Sequence, residues 1–240
     1  SLNIEKIATS TKPQLKRSNQ PLLGRQQELA ELSASLKNPD CRALCLTGPG
    51  GVGKTRLAQE LAQQLLTDYE HGVYFVPLAS ISKAEEITNA IASALSFTFY
   101  GRTEAKIQLA NYLRNKTMLL IIDNLEHVLE GASLLAELLA EAPELNLLIT
   151  SRQLPELSEV WPFALQGLAY QQPDSDAENL FTQLATKQQP RFHADEFALE
   201  TIRQICTLVE GLPLAIELAA SWVRELSPKE ILGQLGRSFE

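Results

Sequence analysis

The chain has 240 residues, 45% of them hydrophobic and 21% charged, a balance that supports a packed core and argues against a disordered or fibrous chain. No apolar run reaches the roughly eighteen residues needed to cross a bilayer and no apolar signal core opens the sequence, so no membrane span or secretion is expected and a cytoplasmic location is. The net charge of −8 makes this segment a poor general binder of nucleic acid, and Cys41, Cys45 and Cys206, odd in number and without metal spacing, read as small core fillers.

Residues 1–20 are polar and mildly basic and read as a linker or N-terminal arm. Pro21-Leu22-Leu23-Gly24-Arg25 precedes a predicted helix over Gln26–Leu36 that ends at Asn38-Pro39. Ala43–Thr47 then reads as a buried strand entering Gly48-Pro49-Gly50-Gly51-Val52-Gly53-Lys54-Thr55, which fits the phosphate-binding pattern G-x-x-x-x-G-K-[ST] at every fixed position. The helix that follows puts Leu57, Leu61 and Leu65 on one face. Strand, glycine loop and helix in this order give the motif its meaning. Glycines let successive N–H groups close around an anion at a helix N-terminus. Lys54 can bridge β- and γ-phosphates, and the Thr55 hydroxyl suits Mg²⁺.

Four more strand-like runs follow: Val73–Leu78, Met118–Asp123, Asn146–Thr150 and Trp161–Leu168. Pro162 marks the last as an edge strand. Helical patterns lie between them at about Lys83–Leu95, Thr103–Asn115 and Gly131–Leu139. This alternation predicts an α/β fold, a P-loop NTPase parallel sheet covered by helices on both faces. Ligands of such sheets bind beyond the carboxyl ends of the strands, where Lys54, Asp123 and Arg152 all fall.

Asp123, after four apolar residues, looks like a Walker B acid able to hold Mg²⁺ directly or through water. Asn124 stands where many hydrolysing P-loop enzymes carry an acid. An amide can hydrogen-bond a water but cannot take its proton at neutral pH, so hydrolysis should be slow or absent. Glu126 is a nearby substitute or a solvent-facing acid. Arg152 could reach a γ-phosphate or be an ordinary loop arginine. His71, His127 and His193 have no ligand spacing and read as structural, and Trp161 and Trp222 read as core or interdomain packing.

Beyond Ala169 the strand signal stops, and Asp174–Lys187, Asp195–Val209, Leu212–Leu226 and Pro228–Leu235 all read as helices. Ser227-Pro228-Lys229-Glu230 is a helix start with an N-cap Ser, Pro at the first position and an acid at the third. The expected organisation is a P-loop nucleotide-binding domain over 21–168 and an all-α helical lid subdomain over 169–240. With no terminating signal at Phe239-Glu240, the latter is expected to be part of a longer chain with flanking domains.

Taken together, Leu22-Leu23-Gly24-Arg25, the phosphate loop, Leu119–Asp123, Leu148-Ile149-Thr150-Ser151-Arg152 and Gly211-Leu212-Pro213-Leu214-Ala215 resemble the NB-ARC/STAND family of signal-transduction P-loop NTPases, in particular its bacterial regulators. The resemblance implies an ATP- or ADP-binding switch. Arg25, with Leu23 beside it, would lie by the adenine, Pro213 would pack on the nucleotide from the lid, and Arg152 would sense the γ-phosphate. The expected nucleotide contacts are thus Leu23, Arg25, Gly48, Gly50, Gly51, Val52, Gly53, Lys54, Thr55, Arg56 and Pro213, and the Mg ligands Thr55 and Asp123. Lys54, Asp123, Asn124, Glu126 and Arg152 are the candidates for any catalysis. Leu212, Leu214 and Ile216 are expected to pack the helical subdomain. Gln26 departs from the Glu common after the first arginine. The resemblance also implies regulatory or transcription-regulatory flanking domains and a nucleotide-dependent homo-oligomer. An AAA+-like motor with productive turnover and a nucleotide-stabilised interaction module are the alternatives.

Overall fold

The structure is a computed structural model and describes residues 22–238; the expected N-terminal arm over 1–20 lies outside the described residues. Its elements run α1 (Gln26–Lys37), β1 (Ala43–Thr47), α2 (Lys54–Gln64), β2 (Val73–Pro77), α3 (Glu86–Ala94), α4 (Ala105–Leu113), β3 (Met118–Asp123), α5 (Ala132–Glu141), β4 (Leu145–Ser151), β5 (Val160–Ala164), α6 (Asp176–Gln188), α7 (Glu196–Leu208), α8 (Pro213–Ser221) and α9 (Pro228–Ser238). Two 3₁₀ turns, Leu125–His127 and Leu129–Gly131, lie between β3 and α5, and a third, Trp222–Arg224, follows α8.

By its contacts the chain divides into two compact units. The first holds Glu31–Leu46 and Ala58–Phe163, and with them most of a five-stranded sheet of order β2-β3-β4-β1-β5. β2 and β3 pair in parallel, as do β3 and β4, with Ile122 opposite Ile149. Every residue of β3 is buried, and alternate residues of a strand face opposite sides, so both faces of the sheet must be covered. One face packs Leu120, Ile122, Leu147 and Ile149 against Ile87 and Ile91 of α3, Leu109 and Leu113 of α4, and Leu135 and Leu138 of α5. At roughly 1.5–3 kcal/mol for each large apolar side chain, this burial dominates the unit's stability.

β5 forms the sheet edge, as Pro162 predicts, but it is shorter than the expected run. Leu165 N–H donates to the Thr47 carbonyl at 2.8 Å. By the strand's period of two, Pro162 therefore points its missing donor toward the open edge, where nothing is lost. Trp161 is 38% exposed and Trp222 39%, so neither fills a core, one of the two packing roles expected of them. His71 is structural: its Nδ1 accepts from the Thr117 backbone N–H at 3.0 Å while the His71 backbone N–H donates to the Thr117 carbonyl.

The second unit holds Thr47–Leu57 together with residues 22–30 and 164–238. Its core joins Phe181 and Ala185 of α6, Ile202, Ile205 and Cys206 of α7, Ile216 and Ala220 of α8, and Ile231 of α9. The starts of α6, α7 and α9 are capped by side chains. Ser175 Oγ accepts from the Glu178 N–H, Asp195 Oδ1 from the Ala198 N–H, and Ser227 and Glu230 exchange backbone-to-side-chain bonds in a capping box. Bonding to Ser227 holds the Glu230 carboxyl below its ordinary pKa. Burial pushes the thiols of Cys41 to about 11 and of Cys206 to about 12, which makes them inert fillers.

Candidate functional site

Within the second unit the phosphate loop is wired to both of its sequence-distant neighbours. Lys54, the first residue of α2, is only 8% exposed, and its Nζ donates to the Gly48 carbonyl at 2.8 Å and the Pro49 carbonyl at 3.1 Å. The ammonium is thus tied back to the first two residues of its own loop, whose glycine turns are of the anion-binding kind. Gly51 and Gly53 have φ of 79° and 99°, a region that L side chains avoid. A Cβ at Gly53 would meet nothing within 4 Å, so that position opens on free space.

Pro213 opens α8 at the helix's first position, half-buried. Next to it, the Leu214 N–H donates to the Gly51 carbonyl at 3.2 Å, and a Cβ on Gly51 would lie 2.8 Å from Leu214 Cβ. The start of α8 therefore rests directly on the phosphate loop. Leu214 serves this contact and is 51% exposed, whereas Ile216 is fully buried in the helical core and Leu212 is half-buried. The expectation that all three would pack the helical subdomain holds fully only for Ile216. A leucine facing the loop cannot also face the core of its own helix bundle.

Arg25 is the second tie. It is 4% exposed, and its guanidinium donates from Nη2 to the Val52 carbonyl (3.3 Å) and the Gln166 carbonyl (2.7 Å) and from Nη1 to Glu28 Oε1 (2.6 Å). Three segments are pinned by one planar fork, a geometry that the compact lysine ammonium cannot copy. Leu23, beside it, is half-buried. Arg25→Ala is expected to cost about 2–4 kcal/mol of unfolding free energy, because it strands two carbonyls and a partly buried carboxylate, with Arg25→Lys recovering only part. Urea unfolding of the three proteins checks this.

In the first unit, Asp123 ends β3 at 6% exposure, and its Oδ1 accepts from the Thr150 hydroxyl at 2.7 Å. The same hydroxyl accepts from the Asn124 N–H at 2.9 Å. Thr150, fully buried on the adjacent strand, orients the carboxylate and fixes the turn after it. Sequence reasoning missed this role; the available signal was a threonine directly after the apolar run Leu147-Leu148-Ile149. Asn124 has φ 64° and ψ 46°, a left-handed conformation that Asn and Asp tolerate better than other side chains. Glu126 follows on a 3₁₀ turn, with Oε1 3.4 Å from Arg152 Nε; Arg152 lies one residue beyond β4.

The donors suit an anionic nucleotide with a hard cation. Glycine turns and a buried lysine are groups that suit phosphate, and a threonine hydroxyl or an aspartate carboxylate is the kind of oxygen donor that Mg²⁺ takes. Among the described residues no group of three or more His, Cys, Asp or Glu could hold a metal by itself.

Comparison with known proteins agrees with this fold. The chain superposes on Cdc6p from Pyrobaculum aerophilum (TM-score 0.59, 19% identity, 92% of this chain and 65% of that one). It also superposes on a STAND protein with a tetratricopeptide repeat sensor from Pyrococcus horikoshii (TM-score 0.57, 16% identity, 96% of this chain and 34% of that one). In sequence it is 34% identical over 204 residues to a candidate HTH-type transcriptional regulator of Mycobacterium tuberculosis, covering 82% of this chain and 22% of that protein. It is 31% identical over 218 residues to an uncharacterized protein of the same organism, covering 90% and 54%. The chain thus spans between a fifth and about half of the length of these relatives. Residues 21–150, more than half of the chain, match the AAA ATPase domain family, and the chain belongs to that family.

Proposed function

We propose that this chain is the ATP/ADP-binding switch module of a STAND-type regulatory protein, of the NB-ARC kind, with slow or no intrinsic hydrolysis. The observation that carries this reading is the clustering of the phosphate loop with the helical subdomain, through the bond from Leu214 N–H to the Gly51 carbonyl. A loop that touches a lid helix lets whatever occupies the loop act on that helix. Mg²⁺, when bound, would offset phosphate charge, with Thr55 and Asp123 as its protein ligands. Lys54 would bind the phosphates, and the half-buried ring of Pro213 would cover the nucleotide without adding charge. The regulator and STAND relatives support a role beside other domains, and a nucleotide-dependent homo-oligomer accords with it.

Turnover is the discriminating measurement. Asn124 is an amide held in a left-handed turn by the bond from its N–H to Thr150, and it cannot accept the proton of an attacking water. Phosphate release is therefore expected well below the roughly 1–10³ s⁻¹ of ordinary enzymes. Hydrogen exchange with ADP should show protection reaching from the phosphate loop to the residues around Pro213. Release of several phosphates per second without a partner would favour the second reading, an AAA+-like motor, which membership of the AAA ATPase domain family keeps in play. Protection confined to the loop would overturn the switch.

A further inference from the structure

The pair formed by Glu126 and Arg152 is mismatched. Arg152 approaches Glu126 from Nε, at 3.4 Å, and its side chain is 66% exposed, whereas that of Glu126 is 13% exposed. The second carboxylate oxygen, Oε2, is buried and has no hydrogen-bond partner among the described residues. An arginine that docks securely on a carboxylate uses two parallel N–H donors at about 2.7–2.9 Å. Here the contact is long and comes from Nε, between a largely exposed guanidinium and a mostly buried carboxylate. Both residues stand just past the carboxyl ends of neighbouring parallel strands, β3 and β4, next to the Asp123–Thr150 bond.

We propose that Glu126 competes with the terminal phosphate of a nucleoside triphosphate for Arg152, and thereby sets the preference between ATP and ADP. This rests on the nucleotide-switch reading above. A diphosphate leaves Arg152 on Glu126. A triphosphate must draw it away, and the long contact makes that exchange possible at moderate cost. Glu126 is then a specificity-determining residue that acts through Arg152 without touching the nucleotide.

The test is a double-mutant cycle on the dissociation constants of ADP and a non-hydrolysable ATP analogue, both with Mg²⁺, measured by calorimetry. Glu126→Gln removes the competing charge at nearly constant shape. It should raise the preference for the ATP analogue over ADP by roughly three- to tenfold, the range for partly exposed charge pairs. Arg152→Gln should lower that preference, and adding Glu126→Gln to it should change nothing further. Glu126→Met, also close in shape, should repeat the rise if the amide variant folds poorly. An unchanged or reduced preference in Glu126→Gln would overturn the proposal, because Glu126 would then be neutral or would support Arg152. An equal rise with and without Arg152 would overturn it as well, since the charge would be acting directly on the nucleotide. Wild-type protein that binds neither nucleotide would refute the switch reading itself and this proposal with it, whereas binding with an unmoved ratio refutes only the proposal.

Discussion

A Lys54→Ala chain should keep its fold and lose nucleotide affinity by about 10²- to 10⁴-fold. Lys54 donates to the Gly48 and Pro49 carbonyls in this structure, and the same ammonium is the one cation that the phosphate loop itself supplies. Two charged hydrogen bonds to phosphate are worth about 1.5–3 kcal/mol each, and every 1.4 kcal/mol is tenfold in affinity. The fold should survive because the sheet core does not depend on Lys54: β3 and its neighbours are sealed by leucines and isoleucines. Two loop carbonyls lose a donor, and Lys54→Met, which keeps the buried stem, separates that local cost from the loss of charge. Calorimetry with ADP and Mg²⁺, beside far-UV circular dichroism of both variants, makes the comparison. An Ala variant that folds and binds ADP as tightly as the parent would remove the phosphate site from this loop.

The strands were legible in the sequence because a parallel sheet covered on both faces demands uninterrupted apolar runs. Met118–Asp123 is such a run, and all six residues are buried. The phosphate loop was legible because its chemistry leaves little choice of residue at the glycines and the lysine. The capping box at Ser227 was equally plain, since it is local. What escaped were contacts between segments far apart in sequence. Nothing local in Leu214 tells that it leaves the helical core to sit on Gly51. Nothing local in Arg25 tells that its fork closes on the Val52 and Gln166 carbonyls, and whether it also lies by an adenine is a separate matter for a nucleotide complex. Trp161 and Trp222 are partly exposed, one on an edge strand and one at a helix end, so of the two packing roles expected of them the core does not apply. The 3₁₀ turns after β3 depend on Asn124 entering the left-handed region, which the residue permits but does not dictate.

The glycine of Gly211-Leu212-Pro213 offers a test in which one chemical change should have opposite signs at different sites. At the end of α7 the chain turns through two left-handed residues, Glu210 at φ 53° and Gly211 at φ 66°. The Gly211 carbonyl accepts from the Leu168 N–H at 2.9 Å, so two backbone segments lie against each other. A Cβ at Gly211 would strike the Leu168 carbonyl oxygen and come within 2.8 Å of Tyr170 Cδ1. Alanine there incurs about 1–2 kcal/mol for the left-handed backbone alone. Separating the segments weakens the Leu168 bond, worth about 1 kcal/mol more. Gly211→Ala should therefore lose at least about 3 kcal/mol once the clash is added, or roughly 6–12 °C in Tm for a chain of this size. Because that turn leads directly into Pro213 and the Leu214 contact with the phosphate loop, ADP affinity should fall with it. Gly233 in α9 is the counterpart: it is exposed within the helix, and an added Cβ would meet nothing within 4 Å. Gly233→Ala should raise stability by about 0.5–1 kcal/mol through lost freedom in the unfolded chain. Scanning calorimetry of both variants decides the matter. If Gly211→Ala melts with the parent, the backbone contact between Leu168 and Gly211 does not hold the lid helix in place, and the path from phosphate loop to helical subdomain has to run elsewhere.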